Sequence, residues 1–106
     1  MSISRRSALT TILALPLIAT ALPARAATHK VAIKSFKFSP AQLNVAVGDR
    51  VVFENQDGAP HTATGKGFDT GRLNRGESKR VKISAKGTHD YICKLHPNMK
   101  GKIIAS

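Results

Sequence analysis

The sequence predicts one small all-β domain, a sandwich or barrel of short strands. Three observations predict it. No helical apolar period survives beyond residue 26. Short runs rich in Val, Ile, Leu and Phe alternate with polar residues at period two, as in Leu43-Asn44-Val45 and Val81-Lys82-Ile83. Gly, Pro and Asn interrupt those runs at close intervals, which is the punctuation of tight turns.

The chain opens with a segment expected to be a leader and not part of the fold. Ser4-Arg5-Arg6 is a basic start, and Ala8 to Leu22 is a mostly apolar run, short of the ~20 residues a membrane span needs. Ala24-Arg25-Ala26 ends it as a small-x-small cleavage signal, so residues 1–26 read as a signal peptide. The Arg5-Arg6 pair suggests twin-arginine export. Ala8 and Thr10 stand where that signal usually carries Phe and Lys, so general secretion stays open, and an uncleaved anchor is the alternative to both. Cleavage after Ala26 leaves a domain over 27–106, exported to the periplasm and without membrane insertion.

The strands follow in order. Residues 29–38 carry Val31, Ile33 and Phe36; 41–47 alternate Leu43, Val45 and Val47. Gly48-Asp49 is a turn, and Arg50-Val51-Val52-Phe53-Glu54-Asn55 reads as a buried strand. Residues 63–77 hold Gly65, Gly67, Gly71 and Gly76, with Phe68 and Leu73 the large apolar residues, which makes a loop with at most one short strand. In 78–84, Val81 and Ile83 face in while Arg80, Lys82 and Ser84 face out. Lys86-Gly87-Thr88 turns into 89–93, and 100–105 closes the sheet.

Eighty residues allow one domain of marginal size, which often needs a staple. A single cysteine, Cys93, forms no internal disulfide. An exported lone thiol is exposed to oxidation unless it is buried or ligated, and a metal answers both needs. Of 17 Lys and Arg, three lie in the leader; the other 14 against six acids leave the domain at +8. Charge of that size steers association toward acidic partners. Nucleic acid is not expected: export removes that partner, aromatics are few and no nucleic-acid motif is present. A basic surface that is merely well solvated is the plain alternative.

The stretch Tyr91-Ile92-Cys93-Lys94-Leu95-His96-Pro97-Asn98-Met99 holds the chemistry. Cys93, His96 and Met99 are spaced C-x2-H-x2-M. Thiolate and thioether suit Cu(I), imidazole also suits Cu(II), and a His2Cys set with a weak axial Met is the blue-copper pattern. A second imidazole must come from elsewhere. His61, just after Pro60, is the favoured source; His29 and His89 are rivals, but His89 lies four residues before Cys93 on the same strand, too far along it to join a loop site. Zinc prefers ligands without a thioether, haem attachment needs C-x-x-C-H, and a cysteine hydrolase leaves the methionine unexplained. The reading is therefore one copper ion per chain, cycling between Cu(I) and Cu(II), held by His61, Cys93, His96 and Met99.

These residues make the chain resemble the cupredoxins, nearest in pattern to the amicyanin- and plastocyanin-type proteins. The likeness is strongest in Val45-x-Val47-Gly48-Asp49-x-Val51-x-Phe53-x-Asn55-x5-His61 and in Gly87-Thr88-x-Asp90-Tyr91-x-Cys93-x2-His96-Pro97-x-Met99-x-Gly101. It implies a Greek-key β-sandwich, the same four ligands, and single-electron transfer between periplasmic redox proteins. Two departures touch the site. Thr62 follows the first histidine where many family members have Asn, which bridges the two ligand loops. Leu95 precedes the second histidine where Pro is frequent, and restores an N–H expected to be free to reach the Cys93 sulfur. The span between His61 and Cys93 is also short, so no particular electron donor is implied.

The leading expectation is a monomeric electron carrier, not an enzyme, whose His96 edge passes the electron. Ala59, Pro60, Leu95 and Pro97 would form an apolar collar for redox partners with acidic docking surfaces, and Lys66, Lys94 and Lys100 would ring it. The alternative is a periplasmic protein that stores or delivers copper. A fragment of a copper oxidase or nitrite reductase is disfavoured because there is no second ligand set.

Overall fold

The computed structural model describes residues 26–106. The expected leader therefore lies outside the described residues except for Ala26. Eight strands run in order: β1 (Thr28–Lys34), β2 (Lys37–Ser39), β3 (Gln42–Val45), β4 (Arg50–Asn55), β5 (Thr64–Gly65), β6 (Ser78–Lys82), β7 (Gly87–Cys93) and β8 (His96–Ala105). They form two four-stranded sheets, ordered β2-β1-β4-β6 and β3-β8-β7-β5. No helix long and apolar enough to cross a membrane occurs among the described residues.

The chain changes sheet repeatedly, which is what makes the fold a Greek-key sandwich rather than a set of simple hairpins. Two pairings are parallel, β1 with β4 and β3 with β8, because the connections between them cross from one sheet to the other. The rest are antiparallel. The period-two pattern then decides which side faces in. Val31 and Ile33 of β1, Val51 and Phe53 of β4, Val81 of β6, and Tyr91, Cys93, Ile103 and Ala105 of the second sheet form the core between the layers. Each fully buried large aliphatic or aromatic side chain contributes on the order of 1.5–3 kcal/mol. Phe38, Phe53 and Phe68 surround Tyr91 with ring centroids 4.7, 5.3 and 5.7 Å away. Gly101 lies directly opposite Tyr91 in the β7–β8 ladder, and a side chain there would strike the Tyr91 ring.

Four expectations are revised. Residues 29–38 are two strands, not one, because Ser35 and Phe36 both take positive φ (55° and 57°) in a two-residue hairpin between Lys34 and Lys37. Phe38 rather than Phe36 is the core residue; Phe36 is 49% exposed. Such hairpin turns favour Asn-Gly, and an L-residue with a Cβ in this region costs roughly 1–2 kcal/mol. Val47 lies beyond the end of β3 and is also exposed. Strand β8 starts four residues earlier than expected, at His96.

Asp49 anchors the turn before β4. Its carboxylate accepts hydrogen bonds from the backbone N–H of Ala27 and Ala46 and from His29 Nε2, each 2.9 Å. The His29 contact above all, then the Ala46 and Ala27 amides, pull its carboxyl down to about 2.

Candidate metal centre

The site lies where the loop after β4 meets the β7–β8 hairpin. His61 is held by a reciprocal pair of backbone bonds with Leu73, N–H to O 3.0 Å and back 2.8 Å. The loop leading to it is built on Asn55, which is fully buried. Its side-chain amide donates to the Ala59 and Leu73 carbonyls at 2.9 and 2.8 Å, and its Oδ1 accepts the Asp57 N–H at 2.9 Å. An Asn at the end of an apolar strand thus satisfies the backbone of the loop that carries the histidine.

The second loop owes its shape to a bulge. Ile92 pairs with Lys100 but Cys93 pairs with His96, so Pro97, Asn98 and Met99 bow out of the ladder on the β8 side. The bow puts the whole C-x2-H-x2-M motif in one hairpin end. Cys93 is fully buried, Met99 is 5% exposed and His96 is half-buried.

Three of the four expected ligand atoms converge. His61 Nδ1 and His96 Nδ1 are 3.2 Å apart; Cys93 Sγ is 3.8 Å from the first and 3.6 Å from the second. A point equidistant from all three lies about 2.1 Å from each, within the ~2.0–2.3 Å reach of nitrogen and sulfur ligands to a first-row metal. No other trio of His, Cys, Asp or Glu donors among the described residues comes together in this way. The donor set is that of a mononuclear copper site. Met99, the fourth expected ligand, is buried in the same bulge. The rival histidines are engaged elsewhere: His29 bonds Asp49, and His89 Nε2 donates to the Ala85 carbonyl at 2.7 Å.

The surrounding hydrogen bonds hold the donors in this arrangement. Asp57 Oδ2 lies 2.9 Å from His61 Nε2. A proton on Nε2 donated to that carboxylate leaves Nδ1 unprotonated toward the other donors. Burial pushes the Asp57 carboxyl up, but the N–H groups of Phe36 and Ser35, with His61, outweigh it and hold the carboxyl below its usual range. The Thr62 backbone N–H donates to Cys93 Sγ at 3.3 Å, and Thr62 Oγ1 accepts the Lys94 N–H at 2.9 Å. Thr62 therefore bridges the two ligand loops, its amide donating to the Cys93 sulfur and its hydroxyl accepting from Lys94. Among the hydrogen bonds of the described residues, the backbone N–H on the Cys93 sulfur is that of Thr62 and not that of Leu95, which sits with Lys94 in the two-residue turn.

Sequence reading missed two residues at the site. Asp57 sits four residues before His61, and a carboxylate so close to a ligand histidine was the available signal. Phe36 lies edge-on to both imidazoles, with ring centroids 5.0 Å from His61 and 4.9 Å from His96. No local pattern in the sequence marks it. Of the expected collar, Ala59 and Pro60 are half-buried and Leu95 and Pro97 exposed; Lys94 pairs with Asp69 at 3.0 Å.

Comparison with known proteins agrees with this geometry. Residues 7–105 match the cupredoxin-like domain family. The chain is 33% identical to amicyanin-alpha of Methylorubrum extorquens, with 76% of this chain and 74% of that protein covered. It is 30% identical to the chloroplastic plastocyanin of Fritillaria agrestis, covering 97% of this chain and 77% of that one. Among solved structures, a purple cupredoxin from Nitrosopumilus maritimus shares the fold at a TM-score of 0.69 and 23% identity, over 74% of this chain and 99% of that chain. A copper-containing nitrite reductase from Thermus scotoductus superposes with a TM-score of 0.71 at 28% identity, covering 87% of this chain but 25% of that one. With its two-sheet fold, its His-Cys-His cluster and these relatives, the chain belongs to the cupredoxin family.

Proposed function

We propose that residues 27–106 form a periplasmic blue copper protein that carries single electrons between redox partners, after removal of a signal peptide at 1–26. The observation that carries this reading is the convergence of His61 Nδ1, Cys93 Sγ and His96 Nδ1 within 3.2–3.8 Å of one another in a buried, hydrogen-bonded setting. Amicyanin and plastocyanin relatives support an electron carrier rather than an enzyme. The nitrite reductase likeness covers a quarter of that protein, so its activity does not transfer.

Bound there, a copper ion supplies a one-electron Cu(II)/Cu(I) couple. His61, Cys93 and His96 would hold it, with Met99 as the weak axial ligand. Donors already held by Asp57, Thr62 and the β8 bulge move little between oxidation states, which keeps the cost of electron transfer low. Half-buried His96 is the outward-facing ligand and the exit for the electron. Exposed Leu95 and Pro97 beside it offer an apolar contact. The domain charge of +8 favours redox partners with acidic docking surfaces.

The test is a visible spectrum of copper-loaded 27–106. An intense blue band, lost in Cys93→Ser, is expected; equal colour in that variant would remove Cys93 from the ligand set. Slow surrender of copper to a chelator separates an electron carrier from a copper-delivery protein, which should release it within minutes.

A further inference from the structure

Phe36 breaks a local rule beside the metal centre, where its ring packs against both ligand imidazoles. It adopts φ 57° directly after Ser35 at φ 55°, in a hairpin turn where glycine would be free of strain. It is half exposed, so core burial does not account for it. Strained residues of this kind persist where surrounding structure over-determines them, and they cluster at functional sites.

The over-determining group is Asp57. Its Oδ1 accepts the Ser35 N–H at 2.7 Å, and its Oδ2 accepts both the Phe36 N–H and the His61 Nε2–H at 2.9 Å. The Gln56 N–H adds a bond to the Ile33 carbonyl at 2.8 Å, next to the same turn. One carboxylate thus fastens the turn and the ligand histidine together. The turn in return sets the Phe36 ring edge-on to His61 and His96, at interplanar angles of 88° and 87°. His61 is left with no exposed surface, although it lies in a loop.

We propose that the Ser35-Phe36 turn is a lid over the two ligand imidazoles, latched by Asp57, and that it governs how readily copper leaves the site and how readily reagents enter. Phe36 and Asp57 are positioning residues: neither offers a donor to the metal, and both act through His61 and His96. This rests on the copper reading of the site. Loss of the ring uncovers the histidine edges to water and chelator, whereas loss of the carboxylate frees the turn and the His61 ring at once.

Phe36→Gly separates the lid from the fold, because glycine accepts the positive φ and the variant should be at least as stable as the parent. The copper-loaded 27–106 protein and its Phe36→Gly, Phe36→Tyr and Asp57→Ala variants are mixed with excess EDTA, and loss of the blue band is timed. Phe36→Gly should release copper about tenfold faster or more, as expected when a local closed state is lost. Phe36→Tyr should stay slow. The Phe36→Gly, Asp57→Ala double variant should be no faster than Asp57→Ala alone, because both act through one lid. In the metal-free proteins, alkylation of Cys93 by iodoacetamide should accelerate in the same order. A parent protein that turns blue, with a Phe36→Gly variant that releases copper and reacts at the parent rates, overturns the lid while leaving the copper reading intact. A parent that takes up no copper overturns both.

Discussion

The Thr62 amide donates to the Cys93 sulfur across 3.3 Å, although the two residues are 31 positions apart in the chain. The same residue's hydroxyl accepts the Lys94 N–H, so a single threonine ties the loop after β4 to the β7–β8 hairpin through both its backbone and its side chain. An N–H directed at a ligand sulfur withdraws charge from it, and such neighbouring donors tune a metal site. The two ligand loops are thereby held in register by contacts of the protein itself.

Thr62→Val keeps the shape of the side chain but removes the oxygen that accepts from Lys94. The bond is partly buried, so the stranded Lys94 N–H is only partly open to water. A loss of about 1–3 kcal/mol is expected. Thermal unfolding of the metal-free protein checks it, and Thr62→Ser should recover most of the difference. A valine variant as stable as the parent would show that the bridge contributes nothing.

Met99 is buried in the three-residue bow of β8. On the proposed copper reading, Met99 would tune potential more than it retains metal. Met99→Leu preserves an apolar side chain of similar volume, so copper should stay bound and the reduction potential should rise by tens of millivolts. Voltammetry on the two proteins decides this, and complete loss of copper from the leucine variant would make the thioether a primary ligand.

Gly101 faces the Tyr91 ring, and the ring cannot retreat. Phe38, Phe53 and Phe68 hold it on its other sides, and Tyr91 is 2% exposed. Gly101→Ala should destabilise the domain by ~1–3 kcal/mol through overpacking. Chemical denaturation is the measurement. The same substitution at Gly58, whose added Cβ meets no neighbouring atom, is the control.

Asp49 gives the domain a defined acid response. Its folded carboxyl is held at about 2, against 3.8 ordinarily, first by His29 and then by the Ala46 and Ala27 amides. A depressed carboxyl stabilises the fold above its ordinary value and loses that contribution as pH falls through the folded value. Asp49→Asn should therefore melt several degrees lower than the parent at neutral pH. The gap should close as pH drops from about 4 to about 2. A constant gap across that window would assign the effect to geometry rather than charge.

The sequence by itself determined the fold class and the chemistry of the centre. Alternation in 78–84 specified inward-facing Val81 and Ile83, both buried in the structure, because one buried side of a two-sided sheet demands period two. The spacing of Cys93, His96 and Met99 was legible because one bulged hairpin end holds them, and His61 was legible from the strand and proline before it. Tertiary structure alone decided what surrounds the donors. Residues 29–38 read as one strand by their apolar content, and only the pairing of Lys34 with Lys37 turns them into a hairpin that carries Phe36 outward. The roles of Phe36 and Thr62 depend on contacts with residues 25 and 31 positions away, and no local pattern encodes such distances.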